Sequence, residues 1–252
     1  MSRIISVSNQ KGGVGKTTTV INLAASLAAY DRDVLVIDLD PQSNATSGMG
    51  MEIPSTGNAY SLLTGATDLE GSMVETGYDG VWAIPGSRDL AGLEIELAQQ
   101  NNREFFLRDK LRVPEVERFH FVLIDCPPSL GLLTLNALVA ADSILLPLQS
   151  EYYALEGLSH LLDTIRKVRQ LWNPDLEMEG VLLTMYDRRL KLSREVEADA
   201  ENHLSEILLN TRIPRNVRLS EAPSFGKPVL HYDVESQGAR SYLQLAEELI
   251  SR

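Results

Sequence analysis

Residues 4–18 read Ile4-Ile5-Ser6-Val7-Ser8-Asn9-Gln10-Lys11-Gly12-Gly13-Val14-Gly15-Lys16-Thr17-Thr18. The first five form an apolar, strand-like run. The next ten hold three glycines, two lysines and two threonines, and a helical pattern follows to Ala29. A glycine-rich turn between strand and helix aims backbone N–H groups at one point, and the helix N-terminus adds partial positive charge there, so phosphate binds. Gly12, Gly13, Val14, Gly15 and Thr18 supply the cradle. Lys16 is spaced to reach the β- and γ-phosphates of a nucleotide, and the Thr17 hydroxyl to ligate Mg²⁺. The dinucleotide fingerprint fails: Gly13-x-Gly15 runs on to Thr18, where that motif needs a third glycine, and it has no use for a Lys-Thr pair.

Outward from this loop, short apolar runs alternate with helical patterns. Strands are expected at Ile4–Ser8, Val34–Asp38, Val81–Ile84, Phe119–Asp125, Ser143–Leu148, Gly180–Met185 and Leu208–Ile213. Several are near-continuous Val, Ile and Leu, as in strands buried on both faces of a parallel sheet. Leu155, Leu158, Leu162, Ile165 and Val168 recur at helical steps, as do Ala239, Tyr242, Leu243, Ala246, Leu249 and Ile250; both stripes read as core-facing. The segment Gly48–Gly80 patterns poorly and reads as a surface excursion with a short helix near Tyr60–Leu63. The expected architecture is α/β: one doubly wound, mostly parallel sheet with helices on both faces, a P-loop NTPase fold, in a single domain over residues 1–252. Ligands of such folds bind beyond the carboxyl ends of the strands.

Two further strands end in acid there. Val34-Leu35-Val36-Ile37-Asp38 continues to Leu39-Asp40-Pro41-Gln42, and Phe121-Val122-Leu123-Ile124-Asp125 continues to Cys126-Pro127-Pro128. Either acid alone also suits a turn or a helix cap. Beside a P-loop, an apolar strand ending in Asp is a Walker B element, and Asp125 would hold a magnesium shell through water and Thr17.

Composition sets limits. With 44% hydrophobic and 23% charged residues in 252, wholesale disorder is excluded. One cysteine excludes a disulfide framework or a multi-cysteine metal site within one chain, and the four histidines lack ligand spacing. Lys+Arg 23 against Asp+Glu 35 gives a net charge of −12, which excludes a uniformly basic nucleic-acid binder. The longest apolar stretch, Gly131–Leu148, is interrupted by Asn136, Asp142 and Pro147, and the N-terminus runs directly into a strand. A cytoplasmic protein without signal peptide or membrane span is the expectation.

At the position where an ordinary P-loop has its first glycine stands Gln10, followed by the extra lysine Lys11. This deviant Walker A pattern resembles the ParA/MinD class of P-loop ATPases. Further resemblance lies in Asp40–Gly48, Asp125–Gly131, Glu151–Gly157 and Ile213–Ser224, the last two being similar to the small chromosomal, Soj-like ParA group. The resemblance implies ATP and Mg²⁺ as cofactors and an ATP-bridged homodimer, in which Lys11 reaches phosphates bound by the opposite subunit. It implies Asp40 as positioner of the attacking water or as its proton acceptor, Asp38 as support of the magnesium shell, and Pro214–Asn216 as the adenine-contacting segment. The loop begins near residue 10, so the helix-turn-helix domain of larger plasmid ParA proteins is not expected. The tail Gln244–Arg252 has two acids and one arginine, unlike the basic membrane helix of MinD, so no membrane partner is expected.

Basic residues cluster at Arg188, Arg189, Lys191 and Arg194, and again at Arg212, Arg215 and Arg218. In the resembled family such regions bind double-stranded DNA without sequence preference. Arg189 and Arg218 are the first candidates here, while Arg215 also suits nucleotide or dimer contacts. The implied function is DNA partitioning on the nucleoid, with hydrolysis stimulated by a ParB-type partner. A positioning ATPase for another cargo or for cell division, or a P-loop metabolic ligase, remain alternatives.

Overall fold

A computed structural model describes residues 2–151 and 154–252 of the chain; Tyr152 and Tyr153, and the side chains of Glu94 and of 154–160 including Leu155 and Leu158, lie outside the described residues. The strands are β1 Arg3–Val7, β2 Val34–Asp38, β3 Val74–Glu75, β4 Val81–Ile84, β5 Phe121–Asp125, β6 Ser143–Gln149, β7 Glu177–Tyr186 and β8 Leu208–Pro214. They form one sheet in the order β3-β4-β2-β5-β1-β6-β7-β8, parallel except for β3, which pairs antiparallel with β4. The helices are α1 Lys16–Ala28, α2 Asn44–Gly48, α3 Ala59–Thr64, α4 Leu69–Ser72, α5 Leu90–Glu96 and α6 Phe106–Leu111. They continue with α7 Leu132–Ala140, α8 Ala154–Leu171, α9 Lys191–Leu204, α10 Val217–Glu221, α11 Val229–Tyr232 and α12 Gln237–Ile250.

The two faces follow from the period-two geometry of a strand. Val34 and Val36 of β2, with Phe121 and Leu123 of β5, join Val20, Leu23 and Leu27 of α1 and Tyr242, Leu245 and Leu249 of α12. Leu35, Ile37, Val122 and Ile124 point the other way and pack with Leu133 and Ala137 of α7 and with Leu62, Leu93 and Leu107. Farther along that face, Ile144, Leu146, Val181 and Leu183 meet Ile165 and Val168 of α8 and Val196 and Ala200 of α9. All five residues of β2 and of β5 are buried. Burying each Leu or Ile contributes about 1.5–3 kcal/mol. That burial on both faces is why the central strands read as unbroken apolar runs.

The segment 48–80 corrects one expectation. Much of it is exposed, as at Glu52, Ile53 and residues 64–66, but Leu62, Leu63 and Leu69 are buried in the core. The short helix is there, as α3, with the Asn58 side chain accepting from Ser61 N (3.0 Å) at its cap. Asp68 caps α4 in the same way, accepting from Gly71 N (2.8 Å). β3 was not expected; two residues are too few to show a period.

Register places the site. Val7 pairs with Asp125 across β1 and β5, and Asp38 pairs with Asp125 across β2 and β5. The glycine loop leaves β1 one residue after Val7, so the loop and both acids meet at one end of the sheet.

Candidate active site

The loop turns twice through left-handed backbone, at Gly13 (φ 76°) and at Gly15 (φ 89°), the residue that caps α1. A side chain at either position would be strained, which is the physical reason for glycine there. Lys16 opens α1 and folds back over the loop, its Nζ 3.4 Å from the Lys11 carbonyl oxygen. It is only 7% exposed. Burial lowers its pKa, with the Asp125 carboxylate pulling the other way. A buried cation at the mouth of a phosphate cradle lacks full compensation until an anion arrives.

Thr17 Oγ1 donates to Asp125 Oδ2 at 2.8 Å. Asp125 is fully buried and its other oxygen, Oδ1, has no partner. Burial, and then the charge of Asp38, push its carboxyl well above the usual range. An orphaned carboxylate oxygen beside a threonine hydroxyl fits a hydrated divalent cation, so these residues suit Mg²⁺.

Both Asp38 oxygens accept hydrogen bonds within the chain. Oδ2 accepts from Thr46 N (2.9 Å) and Thr46 Oγ1 (2.7 Å), and Oδ1 accepts from Asp40 N (3.1 Å). Burial raises its pKa to about 6. Asp40 Oδ1 accepts from Gln42 N at 2.9 Å. Cys126 is a buried spacer whose thiol lies 3.4 Å from Ser6 Oγ and is pushed up to about 11 by burial.

Lys11 is exposed, and its ammonium pairs with Glu151 of the same chain. Glu151 is held in turn by Gln149 Nε2 at 2.6 Å.

Beside the loop lies a cavity of about 330 Å³ between Gly15, Thr18, Met185, Pro214, Asn216 and Tyr242. The structure thus brings Pro214 and Asn216 next to the phosphate cradle. The Asn216 side-chain oxygen accepts from Arg218 N (2.9 Å) and caps α10. Three lining residues were missed from sequence. Thr184 Oγ1 donates to the Val14 carbonyl at 2.8 Å, Met185 adopts φ 50°, and Tyr242 Oη lies 3.2 Å from Thr19 Oγ1. For Thr184 and Met185 the usable signal was their place at the carboxyl end of a buried strand. Tyr242 gave none beyond its core stripe.

The arginines divide. Arg188, Arg189, Arg212 and Arg215 line one depression with Tyr186 and Pro214, and Arg218 stands apart on α10. Arg189 grips Asp187 through Nε (2.9 Å) and Nη2 (2.7 Å), which holds the Asp187 carboxyl down to about 2. Arg218 pairs with Glu221 (2.8 Å) and Asp233 (3.1 Å). Exposed pairs of this kind are worth about 0–1 kcal/mol, so a stronger anion can displace them.

A family profile described as an AAA domain matches residues 2–178. "Chromosome partitioning protein ParA" of Myxococcus xanthus is 53% identical over 253 residues, covering 100% of this chain and 89% of that protein. The chain belongs to the ParA/Soj family of ATPases. "Sporulation initiation inhibitor protein Soj" of Bacillus subtilis is 49% identical over 99% of this chain and 98% of its own. Among solved structures, cobyrinic acid a,c-diamide synthase from Mycobacterium smegmatis with bound ATP analogue and magnesium superposes with a TM-score of 0.85 at 37% identity. That match covers 99% of this chain and 95% of the other. Among the described residues, no helix of this ParA/Soj-family chain is long and apolar enough to cross a membrane.

Proposed function

We propose that this ParA/Soj-family ATPase is an ATP-dependent dimeric switch that partitions DNA. Lys16 neutralises the β- and γ-phosphates of ATP, and the backbone of Gly12–Thr18 cradles them. Thr17 and Asp125 would hold Mg²⁺, which when bound would neutralise phosphate charge. Asp38 orders the loop that carries Asp40, and Asp40 accepts a hydrogen bond from the attacking water. Water adds to the γ-phosphorus as its bond to the bridging oxygen breaks, giving ADP and phosphate. Pro214 and Asn216 face the adenine. Lys11 of the partner subunit supplies a cation in trans, as an arginine finger does.

The observation that carries this reading is the pair of lysines. Lys16 is buried over its own cradle, whereas Lys11 is exposed at the rim and turned away to Glu151. A lysine held only by an exposed ion pair can exchange Glu151 for a phosphate of a second subunit. The ATP-bound dimer binds DNA through Arg189 and Arg218 without sequence preference and so associates with the nucleoid. A ParB-type partner stimulates hydrolysis and releases it. The relatives at 53% and 49% identity carry ParA and Soj names, which favours partitioning over the ligase chemistry of the 37% identical synthase.

Asp40→Ala tests the switch. It is expected to bind ATP and elute as a stable dimer only with Mg-ATP, because phosphate binding survives while water attack slows. Turnover at the wild-type rate, or a monomer with ATP, contradicts the reading.

A further inference from the structure

Asp38, the last residue of β2, and Thr46, in α2, are both buried, 1% and 0% exposed, and the turn between them closes back on the strand end. Thr46 gives both its backbone N–H and its hydroxyl to one Asp38 oxygen, at 2.9 and 2.7 Å. The other Asp38 oxygen receives Asp40 N at 3.1 Å. The Thr46 hydroxyl also accepts from Gly86 N at 2.8 Å, which ties the loop to the segment after β4. The packing leaves no slack: a Cβ on Gly86 would stand 2.8 Å from Ser43 Oγ and 2.9 Å from Asp38 Cγ. Ser43 itself is buried with φ 53°. The backbone position of Asp40 is therefore set by a carboxylate whose own orientation is set by Thr46.

We infer that Thr46 is a positioning residue for ATP hydrolysis, acting through Asp38 to fix the place of Asp40; this rests on the assignment of Asp40 to the attacking water. A displacement of about 1 Å in a group that orients a reactant costs about a hundredfold in rate. Valine at position 46 keeps the shape and backbone N–H but removes the hydroxyl. It releases one Asp38 oxygen from its shortest hydrogen bond and leaves Gly86 N without its acceptor. The loop then gains freedom where Asp40 is attached, while the glycine cradle and Lys16 are untouched.

The test measures phosphate release at saturating Mg-ATP and Mg-ATP affinity by titration calorimetry on the full chain. Thr46→Val is expected to lower kcat by between about tenfold and a hundredfold. Its Kd for Mg-ATP and the kcat of Thr46→Ser are both expected within about threefold of wild type. A merely structural role would lower kcat and affinity together, and that result overturns the proposal. So does wild-type turnover by Thr46→Val, or a serine variant as slow as valine. Should the valine variant not fold, Thr46→Cys, with a weaker donor, carries the test: its kcat is expected to fall below that of serine, and a wild-type kcat overturns the inference. Asp40→Ala run in parallel separates the two readings. If it turns over normally, the Asp40 assignment fails; if it is inactive while Thr46→Val is normal, only the role of Thr46 falls.

Discussion

Lys11 and Lys16 stand five residues apart in one loop and occupy opposite environments. Lys16 is buried, its pKa depressed by desolvation and supported by Asp125, so its charge is spent locally. Lys11 is exposed, and its ion pair with Glu151 is a surface pair. Exchange of Glu151 for a phosphate is therefore inexpensive, since such a pair is worth about 0–1 kcal/mol. This separation predicts the behaviour of Lys11→Ala. Losing only a surface pair, the monomer should keep its affinity for Mg-ATP to less than about fivefold. Dimerisation and turnover should be lost if Lys11 supplies its cation in trans, as proposed. Mixing Lys11→Ala with a Lys16→Ala subunit checks it: each retains what the other lacks, so one composite site per mixed dimer can be complete. Full turnover by Lys11→Ala alone would remove the residue from the reaction.

At the scale of elements, the two arms of the nucleotide site meet at a glycine pair. The arm that begins at Asp40 runs through α2 to Gly50 (φ 75°), and the arm that begins at Pro214 runs through α10 to Gly226 (φ 62°). A Cβ on Gly50 would lie 2.8 Å from the Gly226 carbonyl oxygen, and that oxygen also accepts from Tyr78 Oη at 2.7 Å. Gly50→Ala thus combines left-handed strain with a backbone clash. It is expected to destabilise the fold by about 2–5 kcal/mol. Gly77→Ala, where nothing lies within 4 Å of the new Cβ, is the control, expected within about 0.5 kcal/mol of wild type. Denaturant midpoints check both, and equal midpoints would show that the arms are not packed as described. This contact also marks where sequence reading stops. The glycine loop, Asp38, Asp40 and Asp125 were legible because each motif is local and each central strand is apolar on both faces. Thr46 to Gly86, Thr184 to Val14 and Thr19 to Tyr242 span 40, 170 and 223 residues, and no local pattern carries them. The anchoring of 48–80 was hidden for a related reason: Leu62, Leu63 and Leu69 reach the core from two short helices, each too brief to show a period.

For the whole molecule, charge and function pull in opposite directions. A net charge of −12 repels DNA at long range, so binding has to come from a local arginine surface. Arg189 and Arg218 are each held by carboxylates, and if they bind DNA as proposed, its phosphates displace those partners. On the proposed reading, one protomer offers two such contacts, too few to overcome that repulsion. The proposed dimer would double them and raise avidity without any new contact. The free monomer should bind poorly, and ATP should switch binding on. If both arginines of both protomers meet phosphates, four contacts release counterions, and affinity should fall by about a hundredfold between 50 and 200 mM salt. Two unrelated duplexes should bind alike, since phosphate contacts carry no base information. Arg189→Glu or Arg218→Glu should abolish binding while ATP-dependent dimerisation persists, because neither side chain touches the glycine loop. Filter binding of the Asp40→Ala protein across a salt series, with and without ATP, checks the switch. Binding that ignores ATP and salt would place DNA recognition outside it, and full binding by both charge-reversed variants would place it on the neighbouring Arg188, Arg212 and Arg215 depression instead.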